Sequence, residues 1–262
     1  MKKTFIVFVS FLVFMLILSS LTSLSNAGKQ DNSSDSESYD STLGTGENNQ
    51  ASNEEKNDID FSNKIYVAFG DSITYGVDGV SSNRFPFPYP SLVATRLGIL
   101  NSKNYAVSGA TVSYFEGLPN LNSQLDASIA KADIVSVMIG VNDYARSCEL
   151  GSINDNDLTT VYGGLNVFVE GLKEKYPDAF IFFMTPYPCY YFTGVNSAGY
   201  ELTDVCKAIK EVCAKNDIPV LDMYNLGEFT MENCPNSDGI HPSQTFIMNY
   251  TSPQIAQFIR EN

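Results

Sequence analysis

The stretch Lys64-Ile65-Tyr66-Val67-Ala68-Phe69-Gly70-Asp71-Ser72-Ile73-Thr74 decides the fold. An unbroken apolar run stops at a glycine and gives way to a polar turn. A continuous run, rather than an alternating one, marks a strand covered on both faces. Similar runs recur at 103–107, 133–139, 179–184 and 218–223. Between them lie segments with apolar residues at helical spacing, at 90–97, 121–132, 157–176, 198–216 and 242–260. Pro242 is placed to occupy the first helical position of the last one. Strands alternating with helices predict βαβ units with right-handed crossovers, hence a parallel sheet with helices on both faces. Ligands of such sheets bind beyond the carboxyl ends of the strands. The residues that follow each strand are therefore the ones to read for chemistry.

After the first strand, Ser72 sits in a tight strand-to-helix turn. A serine held there is exposed beside backbone N–H groups, as a nucleophile requires; it equally suits a helix N-cap. The turn is not a Gly-x-Ser-x-Gly elbow, because Thr74 stands where the second glycine would be. After the second strand, Gly109 lets the backbone approach a ligand and aim an N–H inward, although glycines end many strands. After the third comes Gly140-Val141-Asn142-Asp143. The Asn142 amide can join the N–H groups of Ser72 and Gly109 as three donors for the oxyanion of a tetrahedral intermediate; an ordinary Asn-Asp turn is the plainer account. Near the C-terminus stands Asp238-Gly239-Ile240-His241-Pro242. The proline biases His241 to an extended backbone. Asp238 can fold back onto the imidazole and set its tautomer, leaving the other ring nitrogen to take a serine proton. A surface histidine with a chance neighbour is the alternative. His241 is the one histidine in 262 residues, so a histidine-dependent enzyme must use it, and zinc sites built on two or more histidines are excluded.

Together and in this order, the four blocks resemble the conserved blocks of the SGNH (GDSL-like) serine hydrolase family, over about residues 65–255. The resemblance implies a flavodoxin-like three-layer α/β/α sandwich around a central parallel sheet of about five strands. It implies an esterase working through an acyl-serine, with Ser72 as nucleophile, His241 as general base and then acid, and Asp238 orienting His241. The Ser72 N–H, the Gly109 N–H and the Asn142 side chain would form the oxyanion hole. Asp71 and Asp143 would be structural. No metal and no organic cofactor is expected.

The chain ends read differently. Lys2 and Lys3 precede an apolar run over 5–18 and the small residues Ser25-Asn26-Ala27. This is the pattern of a secretory signal over 1–27, cleaved after Ala27. The run is short of the roughly 20 residues of a bilayer span, so no stable membrane insertion is expected after cleavage, an uncleaved anchor being the alternative. Residues 28–60 hold nine acidic and two basic residues and few apolar ones. Such a segment cannot offset its ordering entropy and reads as an acidic, Ser/Asn-rich disordered linker. The folded domain is 61–262. A net charge of −14 argues against a nucleic-acid partner, which needs a basic face. A secreted, monomeric protein is expected. All five cysteines, Cys148, Cys189, Cys206, Cys213 and Cys234, fall in the domain. Export permits disulfides, but an odd count leaves a thiol unpaired. Cys206 and Cys213, two helical turns apart, stand roughly 10 Å from each other, too far to bridge.

The substrate is less determined. Segments 84–90 and 185–192 are rich in aromatic residues and proline and should border the mouth of the site. Aromatic rims suit sugar rings or acyl chains, or simply pack their loops. No long apolar insertion resembles a lipase lid. Short acyl groups, such as acetyl esters on extracellular polysaccharide, are the expectation within the class of small-molecule, glycan or lipid esters. A lysophospholipase or lipase, a thioesterase, and a catalytically silent carbohydrate-binding module are the alternatives.

Overall fold

Five strands assemble into one parallel sheet: β1 (Ile65–Gly70), β2 (Asn101–Asn104), β3 (Ile134–Met138), β4 (Phe180–Met184) and β5 (Val220–Leu221), in the order β2-β1-β3-β4-β5. The computed structural model describes residues 59–262 except 80, 82, 192, 228 and 232–237. The signal and linker readings thus lie outside the described residues, apart from Ile59 and Asp60, as does Cys234. Every pairing is parallel, with Val67 opposite Val135 on one side and Lys103 on the other. The helices are α1 (Ser72–Tyr75), α2 (Tyr89–Leu97), α3 (Leu121–Ala127), α4 (Val141–Ala145), α5 (Val161–Lys175), α6 (Leu202–Lys215), α7 (Gln244–Phe246) and α8 (Ser252–Glu261), the last two joined by a π-helical turn over Ile247–Thr251.

The continuous apolar runs are explained by two cores, because successive side chains of a strand point to opposite faces. Val67, Phe69, Val135, Val137 and Phe183 pack with Leu121 of α3, Phe168 of α5 and Ile209 of α6. Phe69 and Phe183 both meet the Phe168 ring edge-on, with centroids 5.8 and 6.4 Å apart. Tyr66, Ala68, Met138, Phe182 and Met184 face the other way, onto Val93 and Leu97 of α2 and Ile255 and Ile259 of α8. The result is the expected three-layer α/β/α sandwich. Buried hydroxyls are paired, as their desolvation requires: Tyr66 Oη with Ser136 Oγ at 2.8 Å, and Thr74 Oγ1 with Tyr89 Oη at 3.0 Å.

Several boundaries differ from the sequence reading, and α5 and α6 begin later than expected, at Val161 and Leu202. The second strand lies earlier, over the polar Asn101–Asn104, because it is an edge strand with alternate residues exposed and has no second apolar face to present. Its extended backbone does continue through the expected stretch, since Tyr105 N–H donates to Ala68 O and Val107 N–H to Gly70 O. The fifth strand shrinks to two half-buried residues. α3 ends at Ala127, where Ser128 folds its hydroxyl back onto Leu125 O. The C-terminal helical stretch is three pieces, and Pro242 precedes the first of them; Ser243 is the N-cap, accepting from Phe246 N–H, and Pro253 takes the helical start of α8. Cys148, Cys206 and Cys213 are buried unpaired thiols. Burial pushes each of them up to about 12, which keeps them protonated and poor nucleophiles. Among the described residues no helix is long and apolar enough to cross a membrane.

Candidate active site

β1 is flanked in the sheet by β2 and β3, so the turn after β1 lies between the segments that follow those two strands. Gln124 of α3 secures its start: the side chain donates to Gly70 O at 2.8 Å and accepts from Gly70 N–H at 3.0 Å. α1 then begins at Ser72. Its N-cap is Asp71, whose carboxylate accepts from Ile73 N–H at 3.0 Å. Capping, one of two readings for Ser72, thus falls to its neighbour. Burial pushes the Asp71 carboxyl up to about 6, against the pull of the Ile73 N–H.

Ser72 is buried, and its hydroxyl stands 2.7 Å from His241 Nε2. His241 Nδ1 stands 2.6 Å from Asp238 Oδ2. The other Asp238 oxygen accepts the backbone N–H groups of Ile240 and His241, each at 2.9 Å. The short loop is therefore folded around its own carboxylate, which aims the imidazole at Ser72. Tyr190 N–H donates to Gly239 O and ties this loop to the segment after β4. Burial raises the Asp238 carboxyl, but hydrogen bonds from the His241 side chain and from the backbone N–H groups outweigh it and hold the group below the ordinary carboxylate value.

On the opposite flank, Gly109 has φ +80° and occupies the third position of a turn closed by Ala110 N–H on Val107 O. A positive φ there is the type II arrangement, which asks for glycine. Neither the Gly109 N–H nor the Ser72 N–H donates to a described residue. Asn142, in the first turn of α4, donates one amide hydrogen to Ala110 O at 2.9 Å, leaving the second for another acceptor. Asp143 is fully buried and accepts from Val112 N–H, Ser113 N–H and Ser113 Oγ at 2.6–3.0 Å. Burial raises its carboxyl and these three donors oppose the rise. It is a clasp between α4 and the segment after Gly109, in keeping with a structural role.

Ser72, His241 and Asp238 thus form one chain of contacts, while Gly109 and Asn142 lie on the neighbouring segments after β2 and β3, joined through Ala110 O. Sequence reasoning passed over three others around them: Gln124, which holds Gly70 at the end of β1, Arg146 and Gly79. Gly79 carries no side chain because a Cβ there would lie 2.7 Å from all three carboxyl atoms of Asp238. The aromatic segments divide. Phe85, Tyr89 and Tyr187 are buried packing, whereas Phe87 and Tyr191 are 60% and 69% exposed. Tyr191 N lies beside Gly239 in the His241 loop. A cavity of about 350 Å³ opens between Tyr144 and Ala145 of α4 and Tyr191, Thr193 and Val195. Among the described residues, no three His, Cys, Asp or Glu side chains are grouped to share a metal ion.

Comparison with known proteins bears on the fold and the family. No curated protein matches the chain. Among solved structures, a protein from Lactobacillus plantarum is 26% identical with a TM-score of 0.66, covering 76% of this chain and 97% of its own. A possible lipase from Chitinophaga pinensis is 23% identical with a TM-score of 0.60, over 76% and 98% of the two chains. A carbohydrate acetylesterase family member from Sinorhizobium meliloti is 17% identical with a TM-score of 0.53, over 76% and 98%. The family model for GDSL-like lipase/acylhydrolases matches residues 68–245, a span that runs from inside β1 past His241, and the chain is therefore a member of that family of ester-hydrolysing serine hydrolases.

Proposed function

We propose that the protein is an exported serine esterase that removes short acyl groups, acetyl foremost, from glycan or small-molecule alcohols. The observation that carries this reading is the unbroken contact from Ser72 Oγ to His241 Nε2 at 2.7 Å and from His241 Nδ1 to Asp238 Oδ2 at 2.6 Å. Ser72 Oγ attacks the ester carbonyl carbon while His241 Nε2 takes its proton, and Asp238 holds the imidazolium that forms. The carbonyl oxygen, now negative, accepts from the Ser72 N–H, the Gly109 N–H and the free amide hydrogen of Asn142. Collapse expels the alcohol, which leaves with the proton from His241. Water, deprotonated by His241, then attacks the acyl-serine and releases the acid. No step calls on a metal or an organic cofactor.

Short acyl chains are favoured by the lack of a lid-like insertion in the sequence. The fold likeness to the carbohydrate acetylesterase family member points the same way, and exposed aromatic faces such as Tyr191 suit sugar rings. Export rests on the signal-like residues 1–27 and the acidic linker over 28–60. Two measurements test the proposal. A fluorophosphonate should label Ser72, and turnover on nitrophenyl esters should fall as the acyl chain lengthens from acetyl, with acetate released from acetylated xylan. Labelling with a preference for long chains or thioesters overturns the substrate class; glycan binding without labelling overturns the enzyme reading itself.

Gly79 gives a third test. In Gly79→Ala the new methyl meets the Asp238 carboxyl at 2.7 Å, so the loop or the carboxylate must shift. Turnover is expected to fall roughly ten- to a hundredfold, as small misplacements of catalytic groups do, while the melting temperature changes little. Steady-state kinetics beside a thermal melt checks this, and unchanged turnover would show that the contact is idle.

A further inference from the structure

α4 and its C-cap residue Arg146 grip the segment after β2 at three points. Asn142 Nδ2 donates to Ala110 O, the Asp143 carboxylate takes Val112 and Ser113, and Arg146 Nη1 donates to Gly109 O at 2.8 Å. The first two grips lie downstream of Gly109. Arg146 alone reaches the residue whose N–H is offered to the oxyanion. We infer that Arg146 is a positioning residue for the oxyanion hole, an inference that rests on the proposed roles of Ser72, Gly109 and Asn142.

Gly109 needs such a brace. A glycine samples positive and negative φ about equally, so nothing intrinsic holds it at φ +80°. The peptide after it is fixed at both ends, its oxygen by Arg146 and its N–H by Val107 O. Arg146 Nη2 also stands 3.4 Å from where a Cβ of Gly109 would be, fencing the glycine on that side. The backbone N–H of Arg146 donates to Asn142 O at 3.0 Å, so one residue closes the helix that carries the Asn142 donor and anchors the Gly109 donor. It thereby sets the spacing between the two.

Charge adds a second contribution. Arg146 is exposed and forms no ion pair among the described residues. Its charge is felt by the buried Asp143 carboxyl but is not consumed in a direct ion pair, and a guanidinium beside the hole favours an oxygen that becomes negative only in the transition state. Because the group is exposed, that share is screened by salt.

The test uses the full chain and p-nitrophenyl acetate. Arg146→Ala should lower kcat roughly ten- to a hundredfold, with KM within about twofold and an unchanged melting temperature. Arg146→Lys, which keeps the charge without the planar fork, should fall between. Added guanidinium should restore part of the Arg146→Ala rate and none of the Ser72→Ala rate. Raising salt should slow the wild type more than Arg146→Ala. If Arg146→Ala misfolds, the Lys variant and its salt response carry the test. Full kcat in both variants beside an inactive Ser72→Ala overturns the role of Arg146 alone. An active Ser72→Ala overturns the reading of the site on which it rests.

Discussion

Ser72→Ala and His241→Ala are each expected to lower kcat on p-nitrophenyl acetate by about 10⁴- to 10⁶-fold, and the double variant is expected to fall no further. The non-additivity is the sharper half. The Ser72 hydroxyl is 2.7 Å from His241 Nε2, and each is useless to the reaction without the other. Once either is gone, the remaining rate comes from the donors of the oxyanion hole and from binding, which both variants keep. Stability should separate from activity. Ser72 lies at the first helical position of α1, but Asp71 does the capping, so the alanine removes no cap. The hydroxyl of this buried serine pairs with His241 Nε2. Its loss removes one hydrogen bond from an imidazole that Asp238 still holds. Single-turnover kinetics on the three variants, with thermal melts as control, checks both halves. A double variant much slower than either single one would mean that the two side chains act independently, and the shared mechanism would be lost.

Sequence reading succeeded where burial or chain order supplied a strong signal. β1, β3 and β4 are covered on both faces by the two cores, and such strands announce themselves as unbroken apolar runs. The edge strand does not. Asn101–Asn104 is polar with alternate residues exposed, and its apolar continuation at Tyr105 to Val107 drew the expected boundary downstream. The same limit applies to the site. Ser72, Gly109, Asn142, Asp238 and His241 each follow a strand or precede a helix, so topology alone draws attention to them. Gln124, Gly79 and Arg146 act across the fold, on Gly70, Asp238 and Gly109. Gln124 lies in a polar stretch of α3, Arg146 reads as a surface cation and Gly79 as a loop glycine. Only the tertiary contact gives them meaning, and no local periodicity encodes it. The break in the last helical stretch is similar: its spacing stays helical through the π turn, so the pattern carries no mark of it.

Asp238→Asn should be nearly as damaging as loss of the nucleophile, with kcat down about 10⁴-fold and KM little changed, although the substitution alters almost no volume. The reason lies in the two oxygens of Asp238. Oδ1 accepts two backbone N–H groups, from Ile240 and His241, and Oδ2 faces His241 Nδ1. In the asparagine variant the amide oxygen must take the Oδ1 position, because an NH2 there would point its hydrogens at two donors. The NH2 then faces Nδ1 and donates to it. That forces the imidazole proton onto Nε2, and the nitrogen meant to accept from Ser72 no longer can. Asp238→Ala loses the orientation without imposing the wrong tautomer, so it is expected to retain at least as much activity as the asparagine variant. Stability against pH supplies an independent reading. The folded Asp238 carboxyl is held below its ordinary value of 3.8, so its ionised form contributes stability that is complete above that value and drains away as pH falls below it. The stability gap between wild type and Asp238→Asn should therefore narrow as pH falls below about 4. Urea melts at pH 7, 5 and 3 measure the gap, and kinetics at neutral pH measures the tautomer effect. An asparagine variant with wild-type kcat would show that Asp238 does not govern the imidazole, however close it lies.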